Sequence, residues 1–301
     1  MASQSSSVWN KASSGYGVFS RFTSQFAEPM ANVVVEKLGD SRRESITLLD
    51  ACTGPGDATF QLLSTLLAHP TMAGTQIHAT ATDFSSAMIE KLQTSLASEE
   101  GRSAQAKAVA NAIQTGALKL QAEVADAQDH SAYPDESFDV ITCLFGIMFP
   151  KEPERAVREF WRLLKPGGVV VVGTWHCNTL GEDIFSDLAH KFMQQERYVD
   201  IMPAFTKYRH EGFVRRLLRG EEGGSALWVD DDMDARLASA KARMTPAQVA
   251  GLLNVLPVVS HYGTWDEKAA EEYLEQKWVS KAGAVEIHGS ALILTARKPS
   301  Q

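Results

Sequence analysis

Between residues 46 and 173 short β-prone runs alternate with helical stretches, and nothing else in the chain restricts its fold as tightly. The runs cover 46–49, 76–81, 118–124, 138–144 and 169–173. Apolar residues at helical spacing follow over 58–67, 86–97 and 152–164, and a polar, Ala-rich stretch over 98–114 extends or follows the second of these helices. Such alternation predicts a parallel sheet with helices on both faces. The 169–173 run is continuously apolar, as strands buried on both faces are. Before it, Lys165-Pro166-Gly167-Gly168 stops the preceding helix, because Pro cannot continue it and Gly supplies positive φ.

The flanks are less regular. Phe19, Phe22, Phe26, Met30, Val33, Val34 and Leu38 lie at helical spacing, which predicts one or two helices over 17–38. From Trp175 to about residue 242 the chain carries aromatics, histidines and charges without strand-like runs, and 220–225 and 230–232 read as exposed loop. A helix over 246–253, a strand over 255–261, a polar helix over 266–279 and a strand over 290–296 are expected to finish the chain. The expected fold is α/β: a Rossmann-like, seven-stranded, mostly parallel sheet with helices on both faces. It divides into an N-terminal helical cap (1–40), a ligand-binding core (41–175), a lid inserted after the fifth strand (176–245) and a completion of the core sheet (246–301).

Bulk composition narrows the function. The 301 residues suit one large domain with an insertion, and 44% apolar residues suffice for a sizeable core. A net charge of −8 offers no basic footprint, so neither nucleic acid nor a membrane surface is expected as a partner. No apolar run approaches membrane-spanning length. Cys52, Cys143 and Cys177 are odd in number and lack C-x-x-C spacing, so no metal site or disulfide framework is expected; reduced thiols in a cytoplasmic setting fit. The Ser-rich start, with Lys11 and Arg21, has a faint transit-peptide character, but Trp9 and Tyr16 favour a polar tail leading into a helix.

Three acids close three of the predicted strands. Asp50 opens the turn Ala51-Cys52-Thr53-Gly54-Pro55-Gly56-Asp57, Asp83 ends the second strand, and Asp126 follows the third. Ligands of open α/β sheets bind beyond the carboxyl ends of the strands. A dinucleotide site wants G-x-G-x-x-G, but the last position here is Thr59, and Asp50 and Asp57 would face the pyrophosphate. Like charges ~4 Å apart cost on the order of 4 kcal/mol at an effective dielectric near 20. A ligand with an ammonium, a sulfonium, a ribose diol and an exocyclic amine suits the same carboxylates.

The chain resembles the class I S-adenosylmethionine-dependent methyltransferases, and within them the ubiquinone/menaquinone-biosynthesis-like small-molecule group. Leu48-Leu49-Asp50-x-x-x-Gly54-x-Gly56, Thr82-Asp83-Phe84-Ser85-Ser86-Ala87-Met88, Asp126-Ala127, Phe138-Asp139-Val140-Ile141-Thr142-x-x-Phe145-Gly146 and Arg162-Leu163-Leu164-Lys165-Pro166-Gly167-Gly168 carry the resemblance. It implies that S-adenosyl-L-methionine is the cofactor and S-adenosyl-L-homocysteine the product. Asp50, Thr53 and the Gly54–Gly56 backbone would hold the methionine end. Asp83 would take the ribose hydroxyls, with Phe84 and Met88 beside the adenine. Asp126 would reach the adenine amine with Ala127 alongside, and Leu144 and Phe145 would line the sulfonium end. Tyr16, in Trp9-x-x-Ala12-x-x-x-Tyr16, resembles an N-terminal tyrosine that closes over the cofactor. Two departures stand out: Cys52 where a glycine is usual, and Met148-Phe149 where the quinone enzymes carry a polar Arg-Asn pair.

Methyl transfer is an in-line displacement, and a base is needed only where the acceptor must lose a proton. His176, at the end of the fifth strand, is the candidate base; His190 and His210 are further histidines of the lid region. Met148, Phe149, Trp175, His176 and Tyr208 are the expected acceptor-side residues, with Phe185, Phe192, Tyr198, Phe205 and Phe213 as further aromatic cover. The expected partner is a small-molecule acceptor with an O, N, S or C nucleophile, and the protein is expected as a monomer or homodimer. An NAD-dependent Rossmann oxidoreductase and a non-catalytic protein that keeps the cofactor site are the alternatives.

Overall fold

The computed structural model describes residues 6–13, 15–39, 43–99, 102–176, 182–193, 206–220, 227–228, 233–255, 266–280 and 282–300. Seven strands form one sheet: β1 (Ser45–Ala51), β2 (Gln76–Asp83), β3 (Leu118–Val124), β4 (Phe138–Leu144), β5 (Leu164–Trp175), β6 (Met233–Met244) and β7 (Val285–Arg297). Their order is β3-β2-β1-β4-β5-β7-β6. The first five run parallel, whereas β7 pairs antiparallel with both β5 and β6.

Successive residues of the central strands serve opposite faces, so each strand reads as unbroken apolar sequence. Leu48, Val140, Val169, Val171 and Ile293 pack on one side against α3 (Ala27–Leu38), α4 (Asp57–Ala68), α5 (Ser86–Ala97) and α6 (Ala104–Gln114). Leu49, Ile141, Val170, Val172 and Leu294 pack on the other against α7 (Pro153–Leu163), α8 (Glu182–Met193), α9 (Glu211–Arg219), α10 (Pro246–Val255) and α11 (Glu267–Lys277). Two short helices, α1 (Ser6–Ala12) and α2 (Gly17–Thr23), precede this framework.

One strand differs from the sequence expectation. The last-but-one strand is Met233–Met244, within a region that reads as free of strands. Its Ala, Lys and Arg residues have low β propensity, and only pairing with β7 over twelve positions makes it a strand. It is an edge strand, where charged side chains are tolerated and useful. The strand expected over 255–261 lies, from residue 256 on, outside the described residues, as do Cys177, Tyr198, Phe205 and the runs 221–225 and 230–232.

The strand order reverses between β1 and β4, which opens a crevice at their carboxyl ends. On the far side of the sheet, Asp187 of α8 accepts hydrogen bonds from Lys277 Nζ and Trp278 Nε1 at 2.7 Å and from Tyr273 Oη at 3.0 Å. Burial acts to raise its pKa, but these donors outweigh burial and lower it. Replacing Asp187 by Ala leaves a half-buried indole N–H and phenol without their acceptor. Such a loss costs about 1–3 kcal/mol. We expect a matching drop in urea-unfolding stability in Asp187→Ala, with faster amide exchange confined to α8 and α11.

Candidate functional site

The chain leaves β1 through a turn that an L-residue rarely adopts. Cys52 has φ +58°, Gly54 φ +59° and Gly56 φ +91°. Gly56 ends the turn as the left-handed cap before α4, and a Cβ there would stand 2.7 Å from Leu92 Cγ. Cys52 holds its conformation without a glycine's freedom, at a cost of roughly 1–2 kcal/mol. Its occupancy of a left-handed position explains why glycine is the usual residue there. Gly146 makes room for it: a Cβ at Gly146 would lie 2.3 Å from Cys52 Cβ and 2.9 Å from Cys143 Sγ. A hydrogen bond with Cys143, then burial, pushes the Cys52 thiol well above its ordinary pKa.

Two acids beneath this turn play different parts. Asp50 is buried, accepting from Thr59 Oγ1 at 2.6 Å and from Thr142 Oγ1 at 2.7 Å. Thr53 joins the same hydroxyl cluster through Thr59. Burial raises the Asp50 pKa, against the threonine hydroxyls. Asp50 and Thr53, which sequence reading expects to meet a ligand, are not among the described residues that line the crevice; the Asp50 carboxylate is held by these hydroxyls. Asp83, in contrast, lines the crevice. Its Oδ2 accepts from Gly54 N and its Oδ1 from Ser85 N, each at 2.9 Å. An ionised carboxylate has about four acceptor positions, so two remain for a ligand. Burial raises the Asp83 pKa to about 6, against those two amides.

The crevice is lined by Trp9, Tyr16, Cys52, Gly54, Asp83, Phe84, Met88, Leu144, Phe145, Gly146 and Phe149, with a cavity of about 50 Å³ between them. No basic side chain is among these residues. The Tyr16 ring covers Gly54, whose added Cβ would sit 4.0 Å from Tyr16 Cε1. Burial, with Asp83 and Asp57 nearby, pushes the Tyr16 phenol well above its ordinary pKa. Trp9 stands edge-on to Phe149 at 4.7 Å and to Tyr16 at 5.6 Å. Two polar contacts fasten the helices that carry these rings. Asn10 Oδ1 accepts from Ser85 Oγ at 2.6 Å, and Ser20 Oγ donates to Asp57 Oδ2 at 2.5 Å.

Of the residues expected from sequence, the crevice brings together Tyr16, Gly54, Asp83, Phe84, Met88, Leu144, Phe145 and Phe149. Asp126 is exposed and Ala127 buried in the neighbouring loop. Gly56 shapes the turn. Met148 is buried in the core, and Trp175 stacks on Phe145 at 4.0 Å, behind the crevice wall. Tyr208 is buried edge-on to Phe213, and its carbonyl accepts from Thr174 Oγ1 at 3.0 Å. His176 is partly exposed at the end of β5, its N–H donating to Ser290 O at 2.9 Å. Trp9, Cys52 and Gly146 line the crevice although the motif reading gives them no ligand role. Trp9 lies on α1 and Tyr16 just before α2, so their meeting comes from the turn between two helices, which sequence spacing alone does not reveal.

Residues 49–172 match the methyltransferase-domain family model. The chain is 29% identical over 127 residues to the ubiquinone/menaquinone biosynthesis C-methyltransferase UbiE of Geotalea daltonii, covering 42% of this chain and 43% of that protein. It is 29% identical over 125 residues to the demethylmenaquinone methyltransferase of Clavibacter sepedonicus, covering 42% and 39%. The chain thus spans less than half the length of these relatives. A solved structure of a candidate methyltransferase from Bacillus halodurans superposes with a TM-score of 0.51 at 14% identity, over 91% of this chain and 98% of that one, and shares its fold.

A raised carboxyl pKa has a definite sign in stability. Below the unfolded value near 4 the Asp83 proton is bound in both states and its contribution is complete; as pH rises through about 6 the contribution is lost. The difference between the folded and unfolded values corresponds to on the order of 3 kcal/mol. Unliganded wild type should lose that stability relative to Asp83→Asn between pH 4 and pH 6.5, measured by chemical denaturation at each pH. A constant difference across this range would contradict the burial of an ionisable Asp83.

Proposed function

We propose that this chain, whose residues 49–172 match a methyltransferase-domain family model, transfers a methyl group from S-adenosyl-L-methionine to a small-molecule acceptor. The observation that carries the reading is the crevice at the strand-order reversal. There a carboxylate with two open acceptor positions faces aromatic walls, a bare glycine backbone lies beneath Tyr16, and no basic side chain is present among the lining residues. The donor set fits a cationic adenosyl ligand. Two ribose hydroxyls match the free positions of Asp83, and a sulfonium gains from aromatic faces. A pyrophosphate would find no cationic partner among these described residues.

When bound, S-adenosyl-L-methionine supplies an electrophilic methyl whose departure from sulfur leaves a neutral thioether. The protein's share is placement and exclusion of water. In this reading Asp83 fixes the ribose, Phe84 and Met88 flank the base, Asp126 and Ala127 border it, and Tyr16 with Trp9 and Phe149 closes the mouth. Asp50 and Thr53 act by holding the turn in shape. Phe145, braced by Trp175, faces the reacting end. His176, at the rim beyond β5, is the group we assign to accept a proton where the acceptor carries one. No described helix is long and apolar enough to cross a membrane. We place the protein in the cytoplasm, as a monomer or homodimer without a nucleic-acid partner, in keeping with its acidic charge and the free thiols of Cys52 and Cys143.

Calorimetry tests this directly. S-adenosylhomocysteine should bind and NADH should not; the reverse would establish the oxidoreductase alternative. Asp83→Ala should weaken S-adenosylhomocysteine binding by about tenfold or more, the range for a hydrogen bond to a charged group. Wild-type affinity should decline as pH falls below about 6, where Asp83 gains its proton. Labelled methyl groups should then appear on a small molecule from a metabolite extract. Binding without any transfer would identify a non-catalytic cofactor-binding protein.

A further inference from the structure

The two cysteines among the described residues lie side by side at the crevice wall. Cys52 stands in the turn just beyond β1, and Cys143 near the end of β4, the strand paired with β1. Cys52 Sγ and Cys143 Sγ lie 3.0 Å and 2.9 Å from one point, the position that a Cβ on Gly146 would take. Both are free thiols, and they are hydrogen-bonded to each other. Their access differs: Cys52 lines the crevice, whereas Cys143 is fully buried. Their anchorage differs too. Cys143 pairs in register with Val172 of β5, and its neighbour Thr142 with Asp50 of β1, so its backbone is held from both sides. Cys52 is in an irregular turn, in the left-handed conformation at φ +58°. Methyl transfer gives neither thiol a role.

We propose that Cys52 and Cys143 form an oxidation site, in which hydrogen peroxide converts the dithiol to an intramolecular disulfide that weakens the hold of the crevice on its adenosyl ligand. The effect on binding rests on the adenosyl-ligand reading above; the bond itself does not. Cys52 meets the oxidant because it alone of the pair lines the crevice. Its thiolate attacks one peroxide oxygen, the O–O bond breaks, and Cys52 becomes a sulfenic acid while the other oxygen leaves as water. The Cys143 sulfur then attacks the Cys52 sulfur. The S–S bond forms, the S–O bond breaks, and the hydroxyl leaves with the Cys143 proton as a second water. Two thiols thus give up two electrons and two protons, and one peroxide is reduced to two waters. The hydrogen bond and burial keep the Cys52 thiol protonated, which makes the first step slow. The second is fast, because the resolving thiol is already in place. A disulfide holds its sulfurs about 2.05 Å apart, closer than hydrogen-bonded thiols stand. Cys143 is fixed in the sheet, so the turn gives way. That turn carries Gly54, whose amide donates to Asp83 at 2.9 Å. Closing the bond draws the turn toward β4 and takes this amide from the carboxylate that faces the ligand.

The test treats the full chain, free of ligand, with hydrogen peroxide and then blocks the remaining thiols by alkylation. Peptide mapping by mass spectrometry should find a crosslink between Cys52 and Cys143, lighter by two hydrogens, formed within hours. In calorimetry the oxidised protein should bind S-adenosylhomocysteine at least tenfold more weakly, and dithiothreitol should restore both thiols and affinity. Cys143→Ala should keep that affinity within threefold of untreated wild type, form no such crosslink, and leave a Cys52 sulfenic acid that a cyclic 1,3-diketone labels. Cys143→Ser takes its place if the alanine variant fails to fold. Oxidation that links Cys52 to Cys177 instead, that forms no disulfide, or that forms the Cys52–Cys143 bond without loss of affinity would each overturn the proposal. Reduced wild type that binds no S-adenosylhomocysteine would remove the adenosyl reading, and the mapped crosslink would still decide by mass alone whether the oxidation site exists.

Discussion

Asp83 joins the turn after β1 to the cap of α5, and the geometry of the crevice depends on that one carboxylate. Gly54 N comes to one of its oxygens and Ser85 N to the other. Both amides belong to short irregular segments that have no ladder to satisfy them, and a buried amide without a partner costs about 1–3 kcal/mol. The acid therefore sets the distance between the two segments that border the crevice. It does so from a desolvated position near a second buried acid, Asp50, which contributes to its raised pKa after burial itself. Two carboxylates so placed stay compatible because Asp50 is enclosed by threonine hydroxyls. This leaves Asp83 as the one whose spare acceptor positions face a ligand.

The walls depend on that turn. Cys52 takes a left-handed conformation and leans on Gly146, which places Phe145 and Phe149 at the crevice edge. Phe145 is itself left-handed at φ +57° and lies flat against Trp175. Strain at consecutive elements of one site persists only when the surrounding packing over-determines it. Here a cluster of Phe22, Phe26, Phe145 and Trp175, largely edge-on to one another, provides that packing. Trp175 at the end of β5 therefore braces the wall, and Phe145, Phe149 and Trp9 line the crevice a ligand would meet.

The parallel core was legible because its strands carry their signal locally: unbroken apolar runs, acids at strand ends, and glycines where φ turns positive. Asp83, Phe84 and Met88 follow from the same local order, since a strand end, a cap and a first helical turn fix their directions. What sequence order does not contain is the partner set. Asp50 meets Thr59 across a turn but Thr142 only through the pairing of β1 with β4, so its inward direction comes from the assembled sheet. Met148 and Phe149 are adjacent, yet the tight turn from Gly146 to Phe149 buries one and presents the other. β6 is a strand because β7 is beside it, not because its residues prefer that state.

α7 shows how the same constraint extends beyond the turn. Its inner face, with Ala156, Val157, Phe160 and Leu163, is buried against the sheet and cannot shift without disturbing β4 and β5. Its polar side, with Glu159 and Arg162, grips the loop after β3, and the amide of Glu152, just before its first residue, donates to Gln128. A rigid element thus fixes a segment that has almost no regular pairing of its own. The turn after β1 is fixed in the same way, by Asp83 from β2 and by the hydroxyl cluster around Asp50. Both irregular borders of the crevice are held from regular structure by side chains. Polar substitutions at Thr59, Thr142 or Glu159, none of which lines the crevice, should therefore alter ligand recognition more than their distance from it suggests.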